Sequence, residues 1–206
     1  MVVKYRGGIT IFTVKEHVVS EYIEKKSRFI ANIYPIKSKK EAEEILVKVK
    51  KEYWDAKHNV YAYVLEGNIS KYSDDGEPQG TAGLPVFNVL QNKKLENVLI
   101  IVTRYFGGIL LGKGGLVRAY STSAKKVIEE SIVYEIIEMK KIKITCEYHI
   151  KDKVLYDLDK KSYKKEIIFG EKIDIILEIP VDEVDSFTEN LIKITDNKVL
   201  INILSQ

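Results

Sequence analysis

The segment TRYFGGILLGKGGLVRAY, residues 103–120, combines five glycines with two arginines and one lysine. Gly107, Gly112 and Lys113 match the G-x-x-x-x-G-K spacing of a nucleotide-binding P-loop, whose backbone N–H groups bind phosphates. The next residue is Gly114, where a P-loop has a Ser or Thr hydroxyl that binds Mg²⁺. The segment therefore argues against an NTPase. It indicates either a different kind of anion site or a turn chosen for close packing.

An apolar strand and a helix are predicted on either side of these glycines. VLIIV, residues 98–102, is a continuous apolar run, typical of a strand that is covered on both faces. We expect the strand to end at Tyr105-Phe106 and a helix to begin near Gly114. Free N–H groups at a helix N-terminus and in a glycine-rich turn bind anions. The candidate anion-binding or nucleic-acid-binding residues are Arg104, Gly107, Gly108, Gly112, Lys113, Gly114, Gly115 and Arg118.

A second group of candidates lies upstream, in SDDGEP at residues 73–78. Its three carboxylates could bind Mg²⁺ or act as general acid and base. The same residues form good turns in which the side chains cap backbone N–H groups, and we favour this interpretation. If the protein is an enzyme, the candidate catalytic residues are His58, Asp74, Asp75 and Glu77. Their reaction would be metal-assisted hydrolysis of a phosphorylated small molecule or nucleotide.

The composition argues against several classes of protein. Three histidines and one cysteine cannot build a multi-histidine or cysteine-based zinc site, and we predict neither a metal nor a cofactor. Cys146 lies in a stretch that alternates with period two, which predicts a core residue on a strand rather than a reactive thiol. No apolar run is long enough for a membrane span, and the N-terminus lacks the apolar region of a secretory signal. We therefore expect a cytoplasmic protein with no membrane partner.

The charge is unevenly distributed along the chain. Residues 1–135 carry 21 basic and 16 acidic residues, a net charge of +5, and they include all four arginines. Residues 136–206 carry 12 lysines and 14 acidic residues, a net charge of −2. A basic first part is compatible with a polyanionic partner.

The predicted elements divide an α+β protein into two domains, residues 1–135 and 136–206. In the first domain we predict strands up to residue 37, a helix over 39–53 capped by Ser38 and Glu41, a strand over 58–66 and a helix over 85–93. In the second we predict strands over 140–148, 164–169, 172–179 and 198–204, with helices over 150–161 and 181–195. The order βαββαβ in the second domain is ferredoxin-like. Tyr61 and Tyr63 share one face of their strand, where they could stack on bases or lie under a helix.

Four motifs, taken together, carry a family resemblance. They are KKSRF at 25–29, HNxYAY at 58–63, SDDGEPxGTAG at 73–83 and TRYFGGxxLGxGGLVRAY at 103–120. The chain resembles the bacterial YigZ-type branch of the IMPACT family, and the last two motifs are long and specific. With the C-terminal block, the resemblance covers nearly the whole chain.

The resemblance implies a fold and a role. The first domain would be similar to the second domain of a ribosomal small-subunit protein and to domain IV of the translocation elongation factor. The second would be ferredoxin-like. A translation-related, RNA-facing role is implied as well.

The chain departs from the family pattern at two positions. The family usually reads Ala-Thr-His-Asn-Cys where residues 56–60 read AKHNV, so a Cys–His nucleophile pair is excluded here. The family often has Thr at the position of Lys113, so the likeness to a P-loop depends on a residue peculiar to this chain.

We therefore predict a cytoplasmic, non-catalytic protein that binds RNA or the ribosome. Arg104, Lys113 and Arg118 would contact phosphate groups. The acidic turn would form ion pairs with these basic side chains and shape the same cleft. The alternatives are the metal-assisted hydrolase and a protein-interaction module that uses the face of the ferredoxin-like sheet. No oligomeric state is predicted.

Overall fold

The computed structural model describes residues 11–137, 139–161 and 163–204. The chain forms two units, Ile11–Glu135 and a second one that begins at Ile136, and each packs helices on an antiparallel sheet. The α+β fold class predicted from the sequence is confirmed. Any predicted strand within residues 1–10 lies outside the described residues.

The described residues of the first unit contain the following elements. They are β1 (Ile11–Val14), β2 (Val18–Glu24), β3 (Ser27–Pro35), α1 (Lys39–Glu52), β4 (His58–Leu65), β5 (Ile69–Ser73), α2 (Gly83–Asn92), β6 (Val98–Tyr105), α3 (Gly112–Glu129) and β7 (Val133–Ile136), which leads into the second unit. The main sheet has the order β2-β3-β6-β4-β5, and all its neighbours are antiparallel. Strands β1 and β7 pair in a separate two-stranded sheet.

Strand β6 is the centre of the main sheet and is covered on both faces. Residues 98–102 are each 0% exposed, as the apolar run predicts. Val98, Ile100 and Val102 pack in the cluster formed with α2 and α3, whereas Leu99 and Ile101 pack in the cluster formed with α1. Each fully buried side chain of this size contributes about 1.5–3 kcal/mol of transfer free energy.

Helix α1 forms the layer on the other face. Ser38 caps it as predicted, and its Oγ accepts a hydrogen bond from the N–H of Glu41 at 3.2 Å. The Glu41 carboxylate accepts from the N–H of Lys37 at 2.7 Å. Tyr63 is 2% exposed and packs in the α1 cluster, with Tyr61 beside it. The two tyrosines thus lie under a helix and are not a base-stacking surface.

The predicted elements of the first unit differ from the structure at two strands and two helix starts. Strands β5 and β7 were not predicted. For β5 (ISKYS) the reason is its place at the edge of the sheet, where its first four residues are exposed. Such a strand shows no alternation of apolar and polar residues. Helix α2 begins at Gly83 rather than 85, and α3 begins at Gly112 rather than near 114.

The second unit has the predicted ferredoxin-like topology. Its elements are β8 (Met139–Cys146), α4 (Tyr148–Lys160), β9 (Lys165–Phe169), β10 (Ile173–Pro180), α5 (Val184–Ile194) and β11 (Val199–Leu204). The sheet order is β11-β8-β10-β9, with antiparallel neighbours throughout. Cys146 is 2% exposed in the core, and burial raises the pKa of its thiol. The predicted strand over 140–148 was too long, because Tyr148 already belongs to α4.

Candidate functional site

One end of the five-stranded sheet gathers the motifs that are separated in the sequence. Phe29, Arg104 and His58 lie side by side on β3, β6 and β4, each at the point where its strand begins or ends near this edge. The connections that meet there are the β2–β3 turn, the α1–β4 loop, the acidic turn after β5 and the glycine loop after β6. We call this region, residues 25–28, 53–59, 73–83 and 104–118, the loop end of the sheet.

The β2–β3 turn holds two lysines against the glycine loop. Lys25 and Lys26 have φ values of 45° and 61°, the double left-handed conformation of a two-residue type I′ turn. The N–H of Gly107 donates to Oγ of Ser27 at 3.2 Å. A Cβ on Gly107 would lie 2.0 Å from the carbonyl carbon of Lys26, so only glycine fits this contact. At Gly107, close packing of the loop on the turn accounts for the glycine.

Three other glycines of the loop are not required by close packing. Gly108 and Gly112 have φ values of 83° and 69°, with open space around the position of a Cβ. Gly114 is also exposed, and its nearest neighbour would be a guanidinium nitrogen of Arg118 at 3.9 Å. Leu111 stands at the N-cap of α3 and has no side-chain oxygen to accept from the first-turn N–H groups. The first turn of α3 therefore presents its backbone donors to the surface.

Two of the predicted cations are exposed beside this helix start. Lys113 and Arg118 are exposed, and neither forms an ion pair within the part of the chain that the structure describes. A pocket of about 270 Å³ lies beside Arg118, and its lining includes Lys25, Gly115, Arg118 and Thr122. The acidic side chain in its wall, Glu24, accepts a hydrogen bond from Tyr22 at 2.7 Å. This bond is the main cause of the raised pKa of the Tyr22 hydroxyl.

Arg104 has a different environment from Arg118. It is 7% exposed, and its Nη1 donates to Oε1 of Glu77 at 2.6 Å. Its guanidinium carbon lies over two rings, 5.5 Å from the centroid of Phe29 and 5.7 Å from that of Phe106. Its Nε has no hydrogen-bond partner among the described residues. The charge of Arg104 is thus already compensated by Glu77, and its contact with a phosphate stays a prediction.

Tyr120 completes this buried cluster and was not among the predicted site residues. It is 0% exposed on α3, and its hydroxyl donates to Oε1 of Glu77 at 2.8 Å. Burial raises the pKa of the Tyr120 hydroxyl strongly, and the neighbouring Glu77 carboxylate adds to the effect. The sequence did contain a signal for Tyr120, because it lies on the core-facing side of a predicted helix. A buried tyrosine hydroxyl there needs a polar partner.

The other two carboxylates of the acidic turn are also engaged. Asp74 accepts from the backbone N–H groups of Ala82 at 3.0 Å and Gly83 at 2.8 Å at the start of α2, and from that of Gly80 at 2.8 Å in the preceding turn. Asp75 accepts from the N–H of Asn59 and from Nζ of Lys50, both at 2.7 Å. These are the side-chain caps of the turn interpretation. In residues 11–137, 139–161 and 163–204, no group of three or more His, Cys, Asp or Glu side chains is arranged to hold a metal ion.

The two ring nitrogens of His58 face two residues of the acidic turn, Asp75 and Glu77. Its Nδ1 is 2.9 Å from the carbonyl oxygen of Asp75. Because a carbonyl oxygen can only accept, Nδ1 carries the proton of this bond. The other nitrogen, Nε2, is then free of its proton in the neutral ring and lies 4.0 Å from Oε1 of Glu77. The side chain is 22% exposed, so Nε2 belongs to a partly accessible imidazole.

Large apolar side chains are exposed on two loops at the loop end. Trp54 is 82% exposed and Phe106 is 50% exposed, and Leu110 of the glycine loop is 83% exposed. The hydroxyl of Tyr105 donates to Asp55 at 2.7 Å and so joins the α1–β4 loop to the end of β6. This bond is the main reason that the pKa of Tyr105 rises to about 12. The sequence analysis did not single out these exposed rings, although an aromatic residue among charged loop residues is a recognisable signal.

Two features bear on the other predicted partners. The face of the second sheet that points away from α4 and α5 carries an ion pair between Lys143 and Asp174 at 2.7 Å, with Leu200 60% exposed on the neighbouring strand. The use of this face by a protein partner stays a prediction. Within the described residues, no helix combines the length and the apolar content that a membrane crossing requires.

Comparison with protein families identifies both parts of the chain. Residues 25–128 match the model of the Impact N-terminal domain, and residues 144–198 match a domain of unknown function, DUF1949. The chain is 38% identical to the IMPACT family member YvyE of Bacillus subtilis (strain 168) over 190 residues, which are 91% of this chain and 88% of the relative. It is 35% identical to the IMPACT family member YigZ of Escherichia coli (strain K12) over 61% of this chain and 63% of that one.

More distant matches agree with this assignment. The chain is 31% identical to the human Protein IMPACT over 43% of its own length and 29% of the human protein. A solved crystal structure of a hypothetical protein superposes with a TM-score of 0.61 at 26% identity and covers 96% of this chain and 98% of the other. The predicted family is therefore confirmed, and the chain belongs to the IMPACT family.

Proposed function

We propose that the chain binds RNA, free or within the ribosome, through phosphate groups at the loop end of the sheet, in a translation-related role. The observation that carries this proposal is the pocket of about 270 Å³ beside the first turn of α3. Lys25 from the β2–β3 turn and Arg118 from α3 both line it. Two cations from separate elements thus meet at a helix start with uncapped N–H groups, which is the chemistry of a phosphate site.

The exposed cations extend beyond this pocket. Lys26 is exposed in the β2–β3 turn, Lys57 in the α1–β4 loop and Lys113 in the first turn of α3. The net charge of +5 over residues 1–135 gives the first part of the chain a favourable interaction with a polyanion. Phosphate contacts of this kind release counterions, so the affinity should fall steeply with salt.

Arg104 and Glu77 have a supporting role in this proposal. Because the pair is buried and its members are 2.6 Å apart, its formation fixes the acidic turn against β6. The acidic turn also caps α2 through Asp74. The acidic turn therefore shapes the loop end from within, and the solvent-facing contacts fall to Lys25, Lys113 and Arg118.

A gel-shift titration of an RNA stem-loop at several salt concentrations tests the proposal. We expect binding at low salt, and we expect Arg118→Ala and Lys113→Ala each to weaken it and to reduce the salt slope by roughly 0.7–0.9 per lost phosphate contact. Lys125→Ala is the matched control, because Lys125 is an exposed lysine of the same helix outside the loop end. No binding at low salt, or equal losses in all three variants, would contradict the proposal.

Hydrolysis of a phosphorylated small molecule is a second candidate, supported by one observation. The bond from Nδ1 of His58 to the Asp75 carbonyl fixes the tautomer and leaves Nε2 as a possible base. Phosphate esters and nucleotides should be screened for turnover with added Mg²⁺ or Mn²⁺. Turnover that disappears in His58→Gln would support this candidate. The RNA-binding proposal predicts no turnover, with RNA affinity retained in that variant.

A further inference from the structure

Two aromatic rings at the loop end are exposed for no reason that folding supplies. Trp54, the chain's single tryptophan, is 82% exposed in the α1–β4 loop, and Phe106 is 50% exposed at the start of the glycine loop. Full burial of such a side chain would contribute transfer free energy to folding, as it does for the core residues, and the exposed rings do not make this contribution. Exposed rings beside cations are a feature of surfaces that bind single-stranded nucleic acid.

The two segments that carry the rings are joined by one hydrogen bond. Asp55 and Tyr105 are joined by a 2.7 Å hydrogen bond, and each ring is the chain neighbour of one of these residues. The Phe106 ring also has the guanidinium of Arg104 5.7 Å from its centroid, and Glu77 holds that guanidinium in place. Phe106 is thereby supported from below while half of its surface faces solvent.

Exposed cations follow both rings along the chain, and the segment around Trp54 carries exposed acidic residues as well. Lys57 follows Trp54 by three positions, and Lys113 and Arg118 follow Phe106 on α3. All three are exposed and form no ion pair within the described residues. Aromatic faces interleaved with unpaired cations are the pattern by which proteins bind single strands, where bases stack on rings and phosphates meet the cations.

This arrangement favours an unpaired strand over the other polyanions. In a duplex the base faces are already stacked on one another, so only splayed bases can reach an aromatic ring. A lipid surface is disfavoured at Trp54, because insertion would desolvate the exposed charges of Asp55 and Lys57 on the same loop and of Glu52 at the end of α1.

We infer that the RNA bound at the loop end is single-stranded there, with unpaired bases stacked on Trp54 and Phe106. This inference rests on the proposed function and names the class of RNA that the site takes.

Tryptophan fluorescence of the full chain tests the inference, because the whole signal comes from Trp54. We expect quenching on titration with a short mixed-sequence single-stranded RNA, and a weaker response with the duplex that this RNA forms with its complement. Equal affinity for strand and duplex, or binding without any change in fluorescence, would overturn the inference and leave RNA binding intact. A spectral shift with anionic phospholipid vesicles and none with RNA would assign the rings to a membrane surface instead.

Substitutions give the second measurement, by fluorescence anisotropy of a labelled RNA strand. Trp54→Ala and Phe106→Ala should each weaken binding about 5- to 150-fold, the range for loss of one stacked base. Phe106→Leu should behave like Phe106→Ala, since leucine keeps the apolar bulk but has no flat face, whereas Trp54→Phe should retain most of the affinity. Tyr156→Ala is the matched control: Tyr156 is 68% exposed and has Nζ of Lys160 4.3 Å from its ring, but lies in the second unit.

The two proposals fail in different ways. If neither strand nor duplex binds at low salt, RNA binding itself is wrong. If RNA binds and Arg118→Ala weakens it while Trp54→Ala and Phe106→Ala have no more effect than Tyr156→Ala, the phosphate site stands and the stacking is wrong.

Discussion

At the scale of single residues, Arg104 and Arg118 show how neighbouring groups change the meaning of one side chain. Both were predicted as phosphate ligands because both flank the glycine loop. Arg104 points into the first unit and is compensated by Glu77 at 2.6 Å, whereas Arg118 is exposed beside the pocket. The guanidinium at the surface keeps its charge available for a ligand.

The buried pair should contribute strongly to stability if one partner is removed. Glu77→Gln leaves the Arg104 charge uncompensated in the core, and we expect a loss of about 3–5 kcal/mol in the free energy of unfolding, measured with urea. The exposed pair of Arg28 and Glu21 has the same 2.6 Å separation, with side chains 53% and 41% exposed. Glu21→Gln should therefore cost less than about 1 kcal/mol. Similar losses in the two variants would show that burial is not the deciding factor.

The glycines of the loop should separate into structural and functional positions. Gly107→Ala places a Cβ 2.0 Å from the backbone of Lys26, and we expect it to destabilise the protein by about 1–3 kcal/mol or more in thermal unfolding. Gly114→Ala meets nothing closer than 3.9 Å and should stabilise α3 by up to about 1 kcal/mol.

RNA affinity adds a second measurement to this comparison. A methyl group at position 114 stands at the exposed helix start, so we expect Gly114→Ala to weaken RNA binding although it folds well. Unchanged affinity in this variant would argue against a phosphate at the first turn of α3.

At the scale of elements, helix α2 depends on an acceptor that is distant in sequence. Its N-cap, Ala82, has no side-chain oxygen, and the carboxylate of Asp74 supplies an acceptor for the N–H groups of Ala82 and Gly83. Helix α1 uses its own N-cap, Ser38. The acidic turn is therefore a structural part of α2 and not a free group of carboxylates.

Removal of this cap should destabilise the first unit. Asp74→Ala leaves three backbone N–H groups without their acceptor, and we expect a loss of about 2 kcal/mol or more in urea unfolding. Asp74→Asn keeps one side-chain oxygen and should lose less. Ser38→Ala removes a single bond of 3.2 Å and sets the reference for one cap. A loss in Asp74→Ala no larger than in Ser38→Ala would contradict the role of Asp74 at α2.

At the scale of the whole molecule, two tyrosines whose pKa is raised by folding make the free energy of unfolding depend on pH in the alkaline range. The pKa of Tyr34 rises to about 12, mainly through burial, and that of Tyr105 rises to about 12, mainly through its bond to Asp55. A hydroxyl whose pKa is raised by folding stabilises the protein fully below its unfolded pKa of about 10. This stability is lost as the pH rises from about 10 to 12, because the unfolded state then releases the proton first.

Urea unfolding across that alkaline range should show the effect. We expect the free energy of unfolding to fall less steeply with pH in a variant that combines Tyr34→Phe and Tyr105→Phe than in the parent chain. Lysine titration affects both proteins alike, so the difference reports the two hydroxyls. Identical slopes would show that these tyrosines titrate normally in the folded protein.

The elements that could be predicted were those with a strong periodic or apolar pattern. The run at 98–102, the capped helix α1 and the βαββαβ order were predictable because each pattern reflects burial by nearby residues. Strand β5 has no such pattern, since its place at the sheet edge leaves its residues exposed. The start of α2 was misplaced because its cap comes from Asp74, eight positions before Ala82.

The sequence by itself determined the family, the fold class and the segments that carry the candidate site, because these depend on residue types and spacing along the chain. Only the tertiary structure decided the state of each side chain. It buried Arg104 with Glu77 and Tyr120, engaged the Asp74 and Asp75 carboxylates, and left Arg118 and Trp54 exposed. Charge compensation and burial arise between strands and loops that are distant in sequence, so no local pattern contains them.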